Sequence, residues 1–212
     1  MEEPSAHLIR FLQQENLRLQ AEIKALREEK EALLDYLKAL EHLYLAAQDI
    51  SSEADLIKLL DNTMYYAVHL AQAKDGSVLL LDQASNELVF AVVHGDKRGE
   101  LRGYRLPAST GIAGWVATHR EPVIANQARH DTRFSPHVDE VFGFVTRSLV
   151  CVPMIAHNQV SGVIEVLNKE AGAPFTEMDV NLLQILGSIA AAALEMLRVR
   201  LESQEAGSTS PH

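Results

Sequence analysis

Two apolar runs, Leu149–Ala156 and Val160–Leu167, are separated only by His157-Asn158-Gln159. Strands of this length joined by so short a polar link pair with each other as an antiparallel hairpin. Beyond a loop with Gly172 and Pro174, the chain enters Thr176-Glu177-Met178-Asp179 and a long apolar segment. Thr176 followed three residues later by Asp179 has the spacing of a capping box. The spacing predicts a helix over 177–203, with Leu183, Leu186, Ala190, Ala193, Leu197 and Leu201 as its stripe. A hairpin feeding such a helix gives a sheet with a helix laid across it, and the remaining elements must pack around that unit.

The N-terminal segment obeys a different period. Leu12, Leu19, Leu26, Leu33 and Leu40 are seven apart, and Ile9, Asn16, Ile23, Lys30 and Leu37 fall three residues before or four after them. Leucine at every d position with one asparagine at an a position favours a parallel two-stranded coiled coil, because Asn16 satisfies itself against its twin only in register. Lys30, also at a, loosens the seam. Glu22 at g would face Arg27 at e of the partner. Such a helix would run on the order of 60 Å at about 1.5 Å per residue. The competing reading is a single amphipathic helix folded onto its own domain, but so long a heptad pattern exceeds what a small globule can use. The expected organisation is therefore a dimerising helix over 1–50, frayed at Met1–Ala6, a domain over 51–203, and a disordered tail over 204–212.

Within the domain, Ser52 and Asp55 repeat the capping spacing, so a helix starts there and ends at Asp75-Gly76. Its buried face carries Leu56, Leu59, Leu60 and Met64. Strands are expected at Ser77–Asp82 and Glu87–His94 around a turn, then a loop over 95–103, a short strand Tyr104–Leu106 stopped by Pro107, and a helix capped by Thr110. A further short strand, Pro122–Ala125, precedes a short helix opened by Ser135-Pro136. The 212 residues are 47% apolar, enough for one domain with a core plus an extension. The net charge of −10 and the lack of a basic cluster argue against a nucleic-acid partner. A single cysteine excludes an intramolecular disulfide and suggests a reducing, cytoplasmic compartment. No secretory signal is apparent, and the apolar run Ile189–Leu197 is too short to span a bilayer.

Three motifs carry a resemblance. Gly111-Ile112-Ala113-Gly114-Trp115-Val116-Ala117, then Gly143-Phe144-Val145-Thr146-Arg147-Ser148-Leu149, then Asn168-Lys169 with Phe175 and Asp179, resemble in order the motifs of GAF domains, over roughly 52–201. These are small ligand-sensing domains. The resemblance implies an α/β (α+β, profilin-like) fold, with a central antiparallel sheet and helices on both faces, here preceded by the long coiled-coil helix. It implies that the first and last domain helices share one face while shorter helices enclose a ligand pocket on the other. It also implies a regulatory role: a small molecule, with cyclic nucleotides among the candidates, whose binding is signalled through a coiled-coil homodimer to a downstream protein.

Carried over residue by residue, the expected ligand contacts are Ile112, Ala113, Trp115, Phe142, Thr146 and Glu165. Phe142 stands where the family usually has a second hydroxyl, Val145 replaces a common arginine, and Val180 a common glutamate; these departures weigh against a cyclic nucleotide. Glu165, between Ile164 and Val166, faces either an exposed sheet edge or the pocket. Asn168, Lys169, Phe175 and Asp179 read as structural: Lys169 and Asp179 can close the corner between hairpin and helix, with Phe175 plugging the core. Cys151 lies in an apolar run, and the thiol reductases among GAF proteins need a second cysteine to resolve the first, so no enzymatic activity is expected. The histidines have no metal-ligand spacing, and the sequence names no cofactor. The alternative is a ligand-free interaction scaffold whose pocket is filled by Phe142 and its neighbours.

Overall fold

The computed structural model describes residues 4–208, which divide between Glu41 and His42 into two compact units. The first unit is helical, belonging to α1 (Pro4–Gln48), so Pro4–Ala6 of the stretch expected to fray are helical, and Met1–Glu3 lie outside the described residues. Its seam residues Ile9, Leu12, Leu19, Ile23, Leu26, Leu33 and Leu37 are between 45% and 58% exposed. Ion pairs such as Arg18–Glu15 (3.0 Å) and Lys24–Glu28 (3.8 Å) lie along the helix surface. The last turns of α1 belong to the second unit, where Leu43 and Ile50 are fully buried. Both stand at g positions, so burial here uses a different stripe from the leucine seam. The domain thus begins several residues before the expected boundary at 50.

Ser52 caps α2 (Glu53–Leu70): its hydroxyl accepts from the Asp55 N–H at 3.2 Å, while the Asp55 carboxylate accepts from the hydroxyls of Ser51 and Ser52. The helix stops earlier than expected. Ala73 pairs with Lys169 across the sheet, so the chain turns at Gln72, with φ 51, and Asp75-Gly76 become part of β1 (Ala73–Asp82) instead of ending the helix. There follow β2 (Glu87–His94), α3 (Arg98–Leu101), β3 (Arg105–Pro107), α4 (Gly111–His119), β4 (Val123–Ala125), α5 (His137–Phe142), β5 (Leu149–Ala156), β6 (Gln159–Lys169) and α6 (Glu177–Ser208). One helical turn, α3, thus sits in the loop expected to be irregular. Helix α6 runs five residues past the expected end at Ser203, and the rest of the tail lies outside the described residues.

The six strands form one antiparallel sheet in the order β3-β2-β1-β6-β5-β4. The central hairpin turns through His157 (φ 47) and Asn158 (φ 61), a two-residue loop with both φ positive, matched to strand twist. At Gly162, any Cβ would stand 2.1 Å from the Leu79 carbonyl oxygen, so β6 and β1 can approach as they do only with glycine there. Helices α2 and α6 pack together and onto the sheet through β1, β2 and β5, and α4 packs against β5 and β6. By composition and length α6 could cross a bilayer, which the short uninterrupted run did not suggest; half of that apolar window is buried inside the fold.

The corner after β6 closes as the residue types require. Lys169 Nζ donates to both oxygens of Asp179 (2.8 and 2.7 Å), and Asp179 also accepts from the Thr176 N–H (2.7 Å) and hydroxyl (3.0 Å). Phe175, 3% exposed, lies beneath the Lys169 ammonium, 5.4 Å from ring centre to nitrogen. Its N–H donates to Asn126 Oδ1 and its carbonyl accepts from Asn126 Nδ2. Asn168 is buried in the left-handed region (φ 57) that asparagine tolerates. Its amide accepts from the Arg147 N–H and donates to the Val145 carbonyl, fastening β6 to the chain entering β5.

Candidate functional site

Strand alternation sends one set of side chains from β1, β2 and β6 away from α2 and α6. There they meet α4, α5 and the 95–103 segment around a cavity with an interior volume of about 100 Å³. Its walls are largely apolar, with Leu79, Phe90, Phe134 and Phe144 among them. Ile112 and Ala113, at the start of α4, line it as expected. Thr110 has the extended backbone of an N-cap, but its hydroxyl makes no capping bond, contrary to the sequence expectation. The first N–H groups of α4 therefore lack a side-chain cap and lie along the cavity wall. Such a terminus favours an anionic group.

The opposite wall carries carboxyl groups. Glu165 of β6 stands opposite Ser77 of β1 in register, and the Ser77 hydroxyl donates to its Oε1 at 2.7 Å. Of the two orientations open to Glu165, the structure takes the one facing the cavity, and Glu165 keeps part of its surface accessible there. Burial raises its pKa above the usual carboxylate value, the nearby Asp139 charge raises it further, and the Ser77 hydrogen bond opposes both. Asp75, also on the wall, is raised by burial first, with its hydrogen bond from Asn168 working against the shift. Charged forms cost more in a low-dielectric recess than in water, which accounts for both directions.

Thr146 also lines the cavity, but its hydroxyl is engaged: it donates to Asp139 Oδ1 at 2.7 Å. Asp139 Oδ2 accepts from the Thr146 N–H and from Arg129 Nη2, both at 2.9 Å. The hydroxyl is therefore a fixed acceptor toward the cavity, with its proton committed to Asp139. Cationic groups are fewer: Lys97 is paired with Glu100 at 3.1 Å, and the neighbouring His94 imidazole bonds Asp61 at 3.1 Å.

Two expected contacts lie elsewhere. Phe142 packs edge-on against Tyr104, 4.9 Å between ring centres, and is not part of the cavity wall. The reading in which Phe142 fills the pocket is thereby corrected: α5 directs Asp139 and Val138 to the cavity, and Phe142, at the end of the helix, meets Tyr104. Trp115 is also absent from the wall. It stacks on His119, one turn along α4, at 4.2 Å between ring centres, and the Arg133 guanidinium lies 4.7 Å over its ring. Conversely, the sequence reading missed Ser77, Asp75 and Asp139. Ser77 faces Glu165 across 88 residues of sequence, so only strand register reveals it. Asp139, between Val138 and Glu140, has the appearance of a solvated residue on a short helix.

Among the described residues, no group of three His, Cys, Asp or Glu side chains could hold a metal. Cys151 is fully buried, and burial together with the Glu165 charge drives its thiol pKa well up. A thiol so protonated is a poor nucleophile.

The GAF domain model matches residues 55–194. The chain is 30% identical over 154 residues to a probable 3',5'-cyclic phosphodiesterase, pde-5, of Caenorhabditis elegans, covering 68% of this chain and 20% of that protein. It is 31% identical over 151 residues to the dual 3',5'-cyclic-AMP and -GMP phosphodiesterase 11A of Takifugu rubripes, covering 65% of this chain and 16% of that one. The chain therefore spans about a fifth or less of the curated relatives it matches. Among solved structures, the GAF domain of an Acinetobacter phosphoenolpyruvate-protein phosphotransferase superposes with a TM-score of 0.64 at 20% identity, covering 79% of this chain and 97% of that one. A free methionine-R-sulfoxide reductase of Neisseria meningitidis, solved with its substrate, gives 0.65 at 21% identity over 80% and 93%. Fold and motifs agree, and with the family match extending over most of the folded unit, this chain belongs to the GAF domain family.

Proposed function

We propose that the chain is a sensory, regulatory protein that holds a small molecule in the domain cavity and passes its occupancy to a partner protein through a homodimer joined along α1. The observation that carries the reading is the cavity: apolar walls, an uncapped helix end on one side, and carboxyls at Glu165 and Asp75 on the other. That division suits a compact ligand with an anionic group at one end and N–H or O–H donors at the other. Kinship to phosphodiesterases, one of them named for cyclic AMP and cyclic GMP, makes cyclic nucleotides the first ligands to try. Ligand pockets usually measure about 300–1,000 Å³, so a nucleotide would enter this smaller cavity only with movement of the 95–103 segment.

The homodimer rests on the exposed leucine seam. Seven a and d residues about half exposed on one face are more apolar surface than an isolated helix in water normally shows. Asn16 and Lys30 within the seam lower its stability, which suits a stalk with two nearby arrangements. Native mass spectrometry of the purified full chain tests both halves of the reading. A dimer carrying a co-purified small molecule, or one that takes up a cyclic nucleotide or other small metabolite in a titration, is expected. A monomer at micromolar concentration would remove the signalling route, and a dimer with no ligand uptake and no thermal shift from any compound would remove the sensory role.

A further inference from the structure

A second recess, of about 220 Å³, lies between α2, β2 and α3. Its floor is apolar, with Ala54 and Ile57 from α2 and Ala91 and Val92 from β2. Its rim holds three cations, Lys58, Arg98 and Arg102, against one carboxylate, Asp61. Arg98 donates to Asp61 at 3.2 Å, and the same oxygen is shared with His94 at 3.1 Å. Among the described residues neither Lys58 nor Arg102 has an ion-pair or hydrogen-bond partner. In a chain of net charge −10 this is a local reversal of sign, leaving a surplus of two positive charges over an apolar floor.

We propose that this recess binds a small phosphate monoester whose ester group is apolar. A phosphate monoester carries about −1.5 to −2 near neutral pH, which matches the surplus on the rim. Guanidinium forks pair with phosphate oxygens two at a time, and Lys58 adds a point charge beside them. A monocarboxylate would leave one cation unmatched, and inorganic phosphate would leave the accessible Ala54, Ile57 and Ala91 uncovered. The site is distinct from the ligand cavity but adjoins it: Val93 borders both, and Arg98 and Arg102 belong to the 95–103 segment.

The test titrates phenyl phosphate into the isotope-labelled full chain at physiological salt, following backbone amide and arginine side-chain signals. Saturable shifts centred on Lys58, Arg98 and Arg102 are expected at millimolar concentrations, with weaker binding of inorganic phosphate and none of phenol. The Lys58→Gln/Arg102→Gln double variant, with circular dichroism unchanged, should weaken binding about tenfold or more, and Arg98→Lys, which keeps the charge but loses the fork, by several-fold. Failure to saturate, equal affinity in the double variant, or shifts spread equally over remote cations such as Arg120 would overturn the assignment.

Discussion

Replacing Asp139 with alanine tests whether the hydrogen-bond node behind the cavity holds the domain together. Asp139 is 5% exposed and accepts three hydrogen bonds: the Thr146 N–H and Arg129 on one oxygen, the Thr146 hydroxyl on the other. The three losses are unequal. Arg129 is more than half exposed and regains water at little cost. The Thr146 hydroxyl can rotate toward the cavity, but its N–H is fixed in a residue only 3% exposed. A buried donor left unpaired costs about 1–3 kcal/mol, and a hydrogen bond to a charged group contributes about 1.5–3. With the non-additivity of one node, Asp139→Ala should destabilise the domain by about 2–4 kcal/mol. At about 2–4 °C per kcal/mol for a chain of this size, the melting temperature should fall by roughly 5–15 °C. Urea titration followed by the fluorescence of Trp115, the chain's one tryptophan, at fixed protein concentration measures it. Thr146→Val, which removes only the hydroxyl, should cost about 1 kcal/mol, and the double variant less than the sum of the two. An Asp139→Ala cost below about 0.5 kcal/mol would refute the reasoning, because it would mean that water replaces the carboxylate freely.

Further outcomes follow from other elements. Burial raises the Glu165 pKa in the folded chain, so its contribution to stability is fully present below the usual carboxylate value and is lost as pH rises through the folded value. Glu165→Gln, which keeps an acceptor for Ser77, should therefore stabilise the protein at pH 8 and lose that advantage toward pH 4, as read from melting temperatures across the range; a pH-independent difference would contradict it. Gly162→Ala places a methyl against the Leu79 carbonyl and should cost at least about 3 kcal/mol or abolish folding, measured by urea titration or soluble yield. Lys169→Met leaves Asp179 buried with only its Thr176 partners and should cost about 2–4 kcal/mol, while the Lys169→Met/Asp179→Leu pair should recover part of the loss. Leu19→Glu with Leu26→Glu should yield monomers by sedimentation while the cooperative melt of the domain is retained.

Local rules made most of this architecture readable. The hairpin and the cap at Ser52 depend on neighbours within a few residues, and they are where the sequence places them; the turn is one residue shorter than the polar link, since Gln159 already belongs to β6, and at Thr176 it is the Asp179 carboxylate that accepts from the Thr176 N–H and hydroxyl. The Lys169–Asp179 corner was legible because both partners belong to one short segment. What escaped the sequence depends on register between distant strands or on the direction of a short helix. Ser77 meets Glu165 only because β1 and β6 pair as they do, and Phe142 misses the cavity because α5 turns Asp139 toward it. The stop of α2 at Leu70 is of the same kind: Asp75-Gly76 has the composition of a turn, but Ala73 and Asp75 find partners on β6 and the strand takes them. The uncapped start of α4 shows the converse, since Thr110 has the residue type and backbone of a cap and still makes no capping bond.

The arrangement of β6 and Asp61 indicates how an event in the cavity can reach the helical layer. Alternate residues of one strand face opposite sides of a sheet, so Glu165 lies on the cavity wall while its neighbours Ile164 and Val166 are fully buried on the other side. Ile164 touches the space beside Gly187 of α6, where an added Cβ would meet its Cδ1 at 3.7 Å. A shift of β6, were a ligand at Glu165 to cause one, would move the surface on which α6 rests, since a close-packed interior transmits displacement instead of absorbing it. Asp61 supplies a second route. It projects from α2 and holds both His94, on the cavity wall, and Arg98, in the segment that would have to move for a larger ligand. Opening that segment must either break the Asp61 bonds or draw α2 with it. The cavity is thus connected to both helices of the opposite layer, through the sheet to α6 and around its edge to α2.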